Sequence, residues 1–421
     1  MAVGRPQVPG RDQHPVNAAD DGRMERLHEE PARTPAFEFD DLDRHIIAWL
    51  RRDGRASWTE IARRCETSVA TVSRRGQRLL AGSAVRVAVV PQTTHPGRTA
   101  ALFLRMACRS GRQADVAAAL SAHPDIRLLA LVSGPYDIFA EVFADTGRSL
   151  ISQLADIEEV DGLEWCETDM VLHEYKVAHD WTWQFLVGET IASPVPEQHV
   201  CDPSHMDEAD WRIVDVMRAN GRAGFSEVAG QVSLDETTVR RRFEALLSRG
   251  CIMVVTLAPA SALGFTSEVM LDISVEPSKL HSVSARLTSC VGVRYVAAAL
   301  NGSSLWCEVI QPSQAALFEF LTETLATLDG VRGWQASMEL LTIRRGFVET
   351  PWWRLELQEH LRAPAPAEGS AHSARSALRP RVQRALPWDP APLAPPGTRA
   401  APPSRLRRGA SSGSAAKGAL D

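Results

Sequence analysis

At 421 residues and 44% apolar side chains, the chain has room for two to four domains with buried cores. Its net charge of −6 argues against a globally basic nucleic-acid binder, so any nucleic-acid contact must rest on local arginine clusters. Seven cysteines without a CxxC pair signal neither a zinc site nor a redox pair, and no apolar run resembles a signal peptide or a membrane span. A cytoplasmic protein with no metal, no cofactor and no membrane partner is therefore expected.

Residues 1–38 are rich in Pro, Gly, Arg and Asp without an apolar period and read as disordered. A helix-turn-helix unit is predicted over 39–90. Leu42, Ile46, Ile47, Trp49 and Leu50 mark one face of its first helix, with Asp40 as N-cap and Gly54 as the stop. Ser57 and Glu60 have the spacing of a capping box for the second helix, and Ser68 caps a third running from Val69 to about Ala81. An apolar stretch, Val85–Val90, follows. Residues 91–187 then read strand, helix, strand, strand, helix, strand, the ferredoxin-like βαββαβ plan. Its four-stranded sheet has one open face, for which a second sheet of the same kind is the natural cover.

After a proline-bearing linker at 188–205, the pattern starts again. Residues 206–257 repeat the helix-turn-helix unit and 258–360 the βαββαβ unit. Asp40, Asp43, Gly54, Arg55, Glu60, Ala62, Thr71, Val72, Arg74, Arg75, Leu79 and Leu80 all recur 167 positions later without a gap. A Pro/Ala/Ser/Arg-rich tail, 361–421, reads as disordered; it carries ten basic and three acidic side chains, a surplus of seven that leaves the rest of the chain at −13. The fold class expected is α+β, a winged-type helix-turn-helix plus a ferredoxin-like domain, duplicated in tandem. A duplicated helix-turn-helix suits paired half-sites on a two-fold duplex.

On the third-helix wheel, Val72, Gly76, Leu79 and Leu80 face inward, as do Val239, Phe243, Leu246 and Leu247 in the second copy. The outward faces hold the candidate DNA-binding residues: Ser68, Ser73, Arg74, Gln77 and Arg78 in the first copy, Thr237, Arg240 and Arg241 in the second. Arginine can pair guanine, glutamine adenine, and hydroxyls phosphate. The copies differ, since Gln77 and Arg78 correspond to Glu244 and Ala245, and Gly76 to Phe243, which leaves the first copy better charged but short of a core side chain. Arg75 and Arg242, at the edge of the buried face, are expected to clamp the helix to a carboxylate or to touch phosphate, the clamp being favoured. A second candidate site is the turn Ser133–Asp137, where Gly134, Tyr136 and Asp137 could hold an amino-acid zwitterion; a plain hairpin turn is the alternative. Trp181, Trp183, Trp352 and Trp353 follow the last strand of each copy and are expected to pack at the seam between halves.

D-x-x-D, then Asp53–Ala56 (DGRA), Glu60–Ala62 (EIA), Ser68–Arg75 (SVATVSRR) and Ser133–Asp137 (SGPYD) together resemble the leucine-responsive regulator/AsnC family of feast/famine regulators. The resemblance covers residues 39–176 and 206–345. It implies a winged-type helix-turn-helix, a ligand-sensing RAM domain, double-stranded DNA and a small-molecule effector, an amino acid above all, as partners, no enzymatic activity, and dimerisation through the sheets. Because such chains normally carry one copy, this one is expected to form an intrachain pseudo-dimer, with further homo-oligomers open. Two alternatives stand beside the regulator: a tandem chain resembling siroheme decarboxylases, for which the Arg86–Arg98 segment with His95 would be the binding loop, and a sensing or assembly protein that has lost DNA binding.

Overall fold

A computed structural model describes residues 37–91, 98–145, 149–178, 181–186, 206–300 and 304–362. The N-terminal segment, the 188–205 linker, the tail beyond 362 and the loop bearing His95 lie outside the described residues.

The first helix-turn-helix comprises α1 (Asp41–Arg52), α2 (Trp58–Arg64) and α3 (Val69–Ala81). Its caps follow the local chemistry: the side chains of Asp40, Ser57 and Ser68 accept from the backbone amides of Asp43, Glu60 and Thr71. Glu60 does not return to its cap; its carboxylate takes Arg63 and Arg64 instead. The second unit, α7 (Glu208–Ala219), α8 (Phe225–Val232) and α9 (Glu236–Ser248), does close a capping box, between Asp207 and Asp210. Here α4 to α6 are Gln113–Ser121, Leu150–Glu158 and the short Trp183–Leu186.

The strand after each helix-turn-helix pairs with its counterpart. Strand β1 (Arg86–Pro91) runs antiparallel to β6 (Ile252–Leu257), and Ala88 lies opposite Val255. Those two positions are 167 apart, the repeat offset, so the pseudo-two-fold axis passes between them. Gly54 and Gly221 do not close helices through a left-handed turn; they sit under this ribbon. A Cβ on Gly54 would lie 2.7 Å from Val254 Cγ1, and one on Gly221 would lie 2.8 Å from the Ala88 nitrogen.

Each βαββαβ unit forms with the predicted order. The first has β2 (Arg98–Cys108), β3 (Ile126–Val132), β4 (Ile138–Asp145) and β5 (Leu163–Val177). The second has β7 (Ser267–Val275), β8 (Val293–Ala299), β9 (Ser304–Gln311) and β10 (Val331–Arg345), with α10 (Leu280–Ser289) and α11 (Gln314–Glu319). Strands β5 and β10 are long enough to serve two sheets. Strand β5 pairs β2 through Leu163–Val171 and then β8 through Val171–Val177; β10 pairs β7 and then β3. The result is a closed ring of eight antiparallel strands, β10-β3-β4-β2-β5-β8-β9-β7, which leaves neither sheet with a bare edge. The open faces meet on an aromatic core, with Phe103 5.2 Å from Trp306 and Phe139 also 5.2 Å from Trp306. Phe139 and Trp306 are repeat equivalents, so the pseudo-symmetry runs through this core. A short β11 (Val348–Glu349) and α12 (Trp353–Arg362) finish the described chain.

The four tryptophans tie the layers together. Trp181 packs on Phe265 of the second copy, and Trp183 meets Trp49 of α1 edge-on at 4.6 Å. Trp352 covers the ribbon beside Ala88 and Val255, while Trp353 enters the core of the first sheet. Among the described residues no helix is long and apolar enough to cross a membrane.

Candidate nucleic-acid interface and sensing core

The two helix-turn-helix units hold each other through a reciprocal pair of arginines. Arg55 donates to the carbonyls of Gly221 (2.5 Å) and Ala223 (3.1 Å) and lies over the rings of Phe225 and Phe243. Its repeat equivalent, Arg222, donates to Gly54 (2.6 Å) and Ala56 (2.9 Å) and lies 4.2 Å over Trp58. Burial lowers the pKa of both guanidiniums, and each is satisfied by carbonyls rather than by a carboxylate. Sequence reasoning listed Arg55 as a repeated residue but missed this role; its recurrence at an element end, where no helix face needs it, was the available signal.

Below the clamp, the arginines of the third helices divide by function. Arg75 is tied to Asp40 and to Asp43 (3.1 Å), and Arg242 to Asp207 (2.9 Å) and Asp210 (3.0 Å), the structural clamp expected of them. These pairs raise both arginine pKa values; with the Asp43 and Asp210 amides they lower those of Asp40 and Asp207. Two of the expected DNA contacts are engaged in ion pairs. Arg78 is not free: it reaches Asp43 at 2.7 Å, because both lie on the flank where α3 crosses α1. Arg240 is held by Glu236 at 2.9 Å and lies over Phe225. Arg74 and Arg241, repeat equivalents, are exposed and have no ion pair among the described residues. Gln77 and Thr237 are exposed too, Ser73 is half-buried, and Ser68 uses its hydroxyl oxygen as the α3 cap.

The missing core side chain at Gly76 is supplied from elsewhere. A Cβ there would lie 2.4 Å from the Trp58 ring, so Trp58 fills the space that Phe225 and Phe243 share in the second copy. The first copy is thus repacked rather than loosened. Turn geometry is conserved between the units in a different way. Glu66 and Ser233 are equivalent and both left-handed, as are Ser83 and Gly250. Ser83, not Gly82, takes the left-handed position after α3.

In the sheets, the turn expected to bind a zwitterion is built into the seam. Gly134 has φ +113, as the turn requires. Asp137 accepts from the Cys108 amide (2.8 Å) and from Gln113 (3.3 Å). Tyr136 is buried, its pKa pushed up to about 12 by desolvation, with its hydroxyl on Ser337. The Ser133 amide donates to Met338 of β10 at 2.8 Å. Gly134 and Tyr136 thus lie against β10 of the second copy, while Asp137 is held within the first.

Buried ion networks sit at equivalent places in the closed ring. Arg127 binds Glu141 and Glu174 (2.8 Å), with the Tyr295 hydroxyl within reach of both carboxylates and its one proton free to go to either. Burial opposes the charge on Arg127, but the two carboxylates outweigh it and raise its pKa. Arg294, its equivalent, binds Glu308 yet shares that carboxylate with Arg345, and burial lowers its pKa to about 9. Paired helix-turn-helix units carrying exposed arginines are thus fixed on a doubled βαββαβ sheet.

The comparisons agree. The AsnC-type helix-turn-helix domain matches residues 39–80 and 206–247, and the Lrp/AsnC ligand binding domain matches 101–180. The chain thus carries two AsnC-type helix-turn-helix domains and an Lrp/AsnC ligand binding domain, the make-up of a transcriptional regulator. An uncharacterised HTH-type transcriptional regulator of Pyrococcus furiosus is 28% identical over 135 residues, 32% of this chain and 90% of that one. The HTH-type transcriptional regulator Ptr1 of Methanocaldococcus jannaschii is 25% identical over 143 residues, 34% of this chain and 96% of its own. Among solved structures, the siroheme decarboxylase NirDL covers 77% of this chain and 100% of its own at 12% identity, with a TM-score of 0.49.

Proposed function

We propose that this chain binds double-stranded DNA in the cytoplasm as a built-in pseudo-dimer, with α3 and α9 as the two reading helices. Arg74 and Arg241 are the primary contacts, flanked by Ser73 and Gln77 on one side and Thr237 on the other. The observation that carries this reading is the β1–β6 ribbon with its Arg55/Arg222 clamp, which holds the two helices in one relation about a single axis. Because the outward faces differ, the half-sites are read as non-identical sequences. A small effector, an amino acid or a similar compound, then shifts the DNA-binding state, and further assembly of whole chains is compatible with it.

Fluorescence anisotropy of the full chain on its own upstream DNA, across a salt series, tests this. Arg74→Ala and Arg241→Ala should each weaken binding and flatten the log–log salt slope by about 1 if the lost contact is to phosphate. Absence of salt-dependent binding at low salt would sink the DNA reading. The tetrapyrrole alternative has less support: a polycarboxylate substrate calls for a cationic cavity, whereas the one lined by Arg51, Arg294 and Arg345 also carries Glu268, Glu339 and Glu356 and, among the described residues, no histidine.

A further inference from the structure

The pseudo-two-fold axis repeats the frame of the two third helices but not their chemistry. Arg74 and Arg241 are repeat equivalents, exposed and without an ion pair among the described residues. Three positions further along, on the same face of each helix, stands a second exposed pair of equivalents: Gln77 on α3 and Glu244 on α9. Neither has a hydrogen bond or ion pair among the described residues. The other acids of α9 are spoken for. Asp235 accepts from the Thr238 amide at 2.8 Å as the helix cap, and Glu236 holds Arg240 at 2.9 Å. Where α9 has Glu236 and Glu244, α3 has Val69 and Gln77, so one outward face is free of acids and the other is not.

An amide and a carboxylate of the same size ask for different base edges. Gln77 offers one donor group and one acceptor, the complement of adenine N6 and N7 in the major groove. The Glu244 carboxylate only accepts. Cytosine, with its N4 amino group, suits it; guanine O6 and N7, thymine O4 and phosphate oxygens repel it. We propose that the chain reads a directional, non-palindromic site, in which Gln77 selects adenine in one arm and Glu244 selects cytosine at the equivalent position of the other. The inference rests on the regulator reading and adds to it the bases that set the two arms apart. Two identical units on a two-fold axis would meet identical arms. Here two unlike units are joined in one chain and clamped by Arg55 and Arg222, so unlike arms are bound at a fixed spacing and the duplex lies in one orientation.

Selection by the full chain from a duplex pool randomised over about three helical turns, roughly 30 base pairs, tests this. Enriched duplexes should carry two unlike arms in a constant relative orientation, with adenine in one and cytosine in the other at the same distance from the centre. Fluorescence anisotropy on an enriched duplex then assigns each base to its residue. Exchanging that cytosine for adenine should weaken binding by about fivefold or more. Glu244→Gln should reverse this preference and leave the adenine arm as it was; Gln77→Glu should turn the adenine arm toward cytosine and leave the other. Each variant is the fold control of its counterpart, since each must keep the preference of the untouched arm. Palindromic enriched duplexes, or base preferences that survive both substitutions, would overturn the proposal and leave the regulator reading standing. No enrichment, with no salt-dependent binding of the pool at low salt, would overturn both.

Discussion

Replacing Arg55 by Ala should loosen the two reading helices from each other without changing the outward face of either. In the structure its guanidinium donates to two backbone carbonyls of the other unit and covers two aromatic rings there. Hydrogen bonds from a charged donor contribute about 1.5–3 kcal/mol and a half-exposed cation–π contact about 0.5–1 kcal/mol. Gly221 and Ala223 are buried beneath the Arg55 side chain, and its removal opens their carbonyls to water, so the loss should be about 2–4 kcal/mol in total. Arg222→Ala should cost a similar amount. The two arginines also repel each other, so each single variant relieves that repulsion and the double variant should lose more than the sum of the singles. Urea unfolding measures the stability term. Anisotropy on a duplex with both half-sites, and on one with a single half-site, measures the coupling. Loss of fixed geometry should cost about tenfold or more on the two-site duplex and little on the single site. If Arg55→Ala weakened both duplexes equally, or changed neither affinity nor stability, the clamp would not be what joins the units.

Two further substitutions follow from the same units. Ser83 holds a left-handed conformation at φ +56 where the second copy has Gly250, so Ser83→Gly should stabilise the chain by about 1 kcal/mol in urea melts, and Gly250→Ser should do the reverse. Asp40 and Asp207 have pKa values lowered by their arginine partners and cap amides. Their contribution is complete above the unfolded carboxyl value near 4 and is lost as pH falls through the lowered folded values. Stability measured from pH 7 down to 2 should fall in that acid window, and Asp40→Asn with Asp207→Asn, which keeps the caps, should make the fall shallower.

Much of this protein is local chemistry and is legible in the chain. Asp40, Ser68, Asp207 and Asp235 cap their helices because each stands just before an apolar period, and the βαββαβ order follows from alternation between strand and helix patterns. The offset of 167 announces two copies. Partner choice at long range is another matter. Periodicity states that Val85–Val90 and Ile252–Leu257 are extended and apolar, but not that they pair with each other; nor does it show that β5 and β10 run past their own sheets to close the ring. Helix geometry puts Arg78 outside, but that Asp43 from another helix pairs with it is visible only in the tertiary structure. The sequence reading took Asp137 for a ligand group because the residue is acidic and stands in a turn, whereas the Cys108 amide arrives from the neighbouring strand. Gly76 looked like a missing core residue until Trp58, eighteen positions earlier, was seen to occupy the gap. Which face of an element is buried is written in its own residues; which group satisfies a given charge, hydrogen bond or hole depends on what the rest of the chain brings alongside, and only tertiary packing decides that.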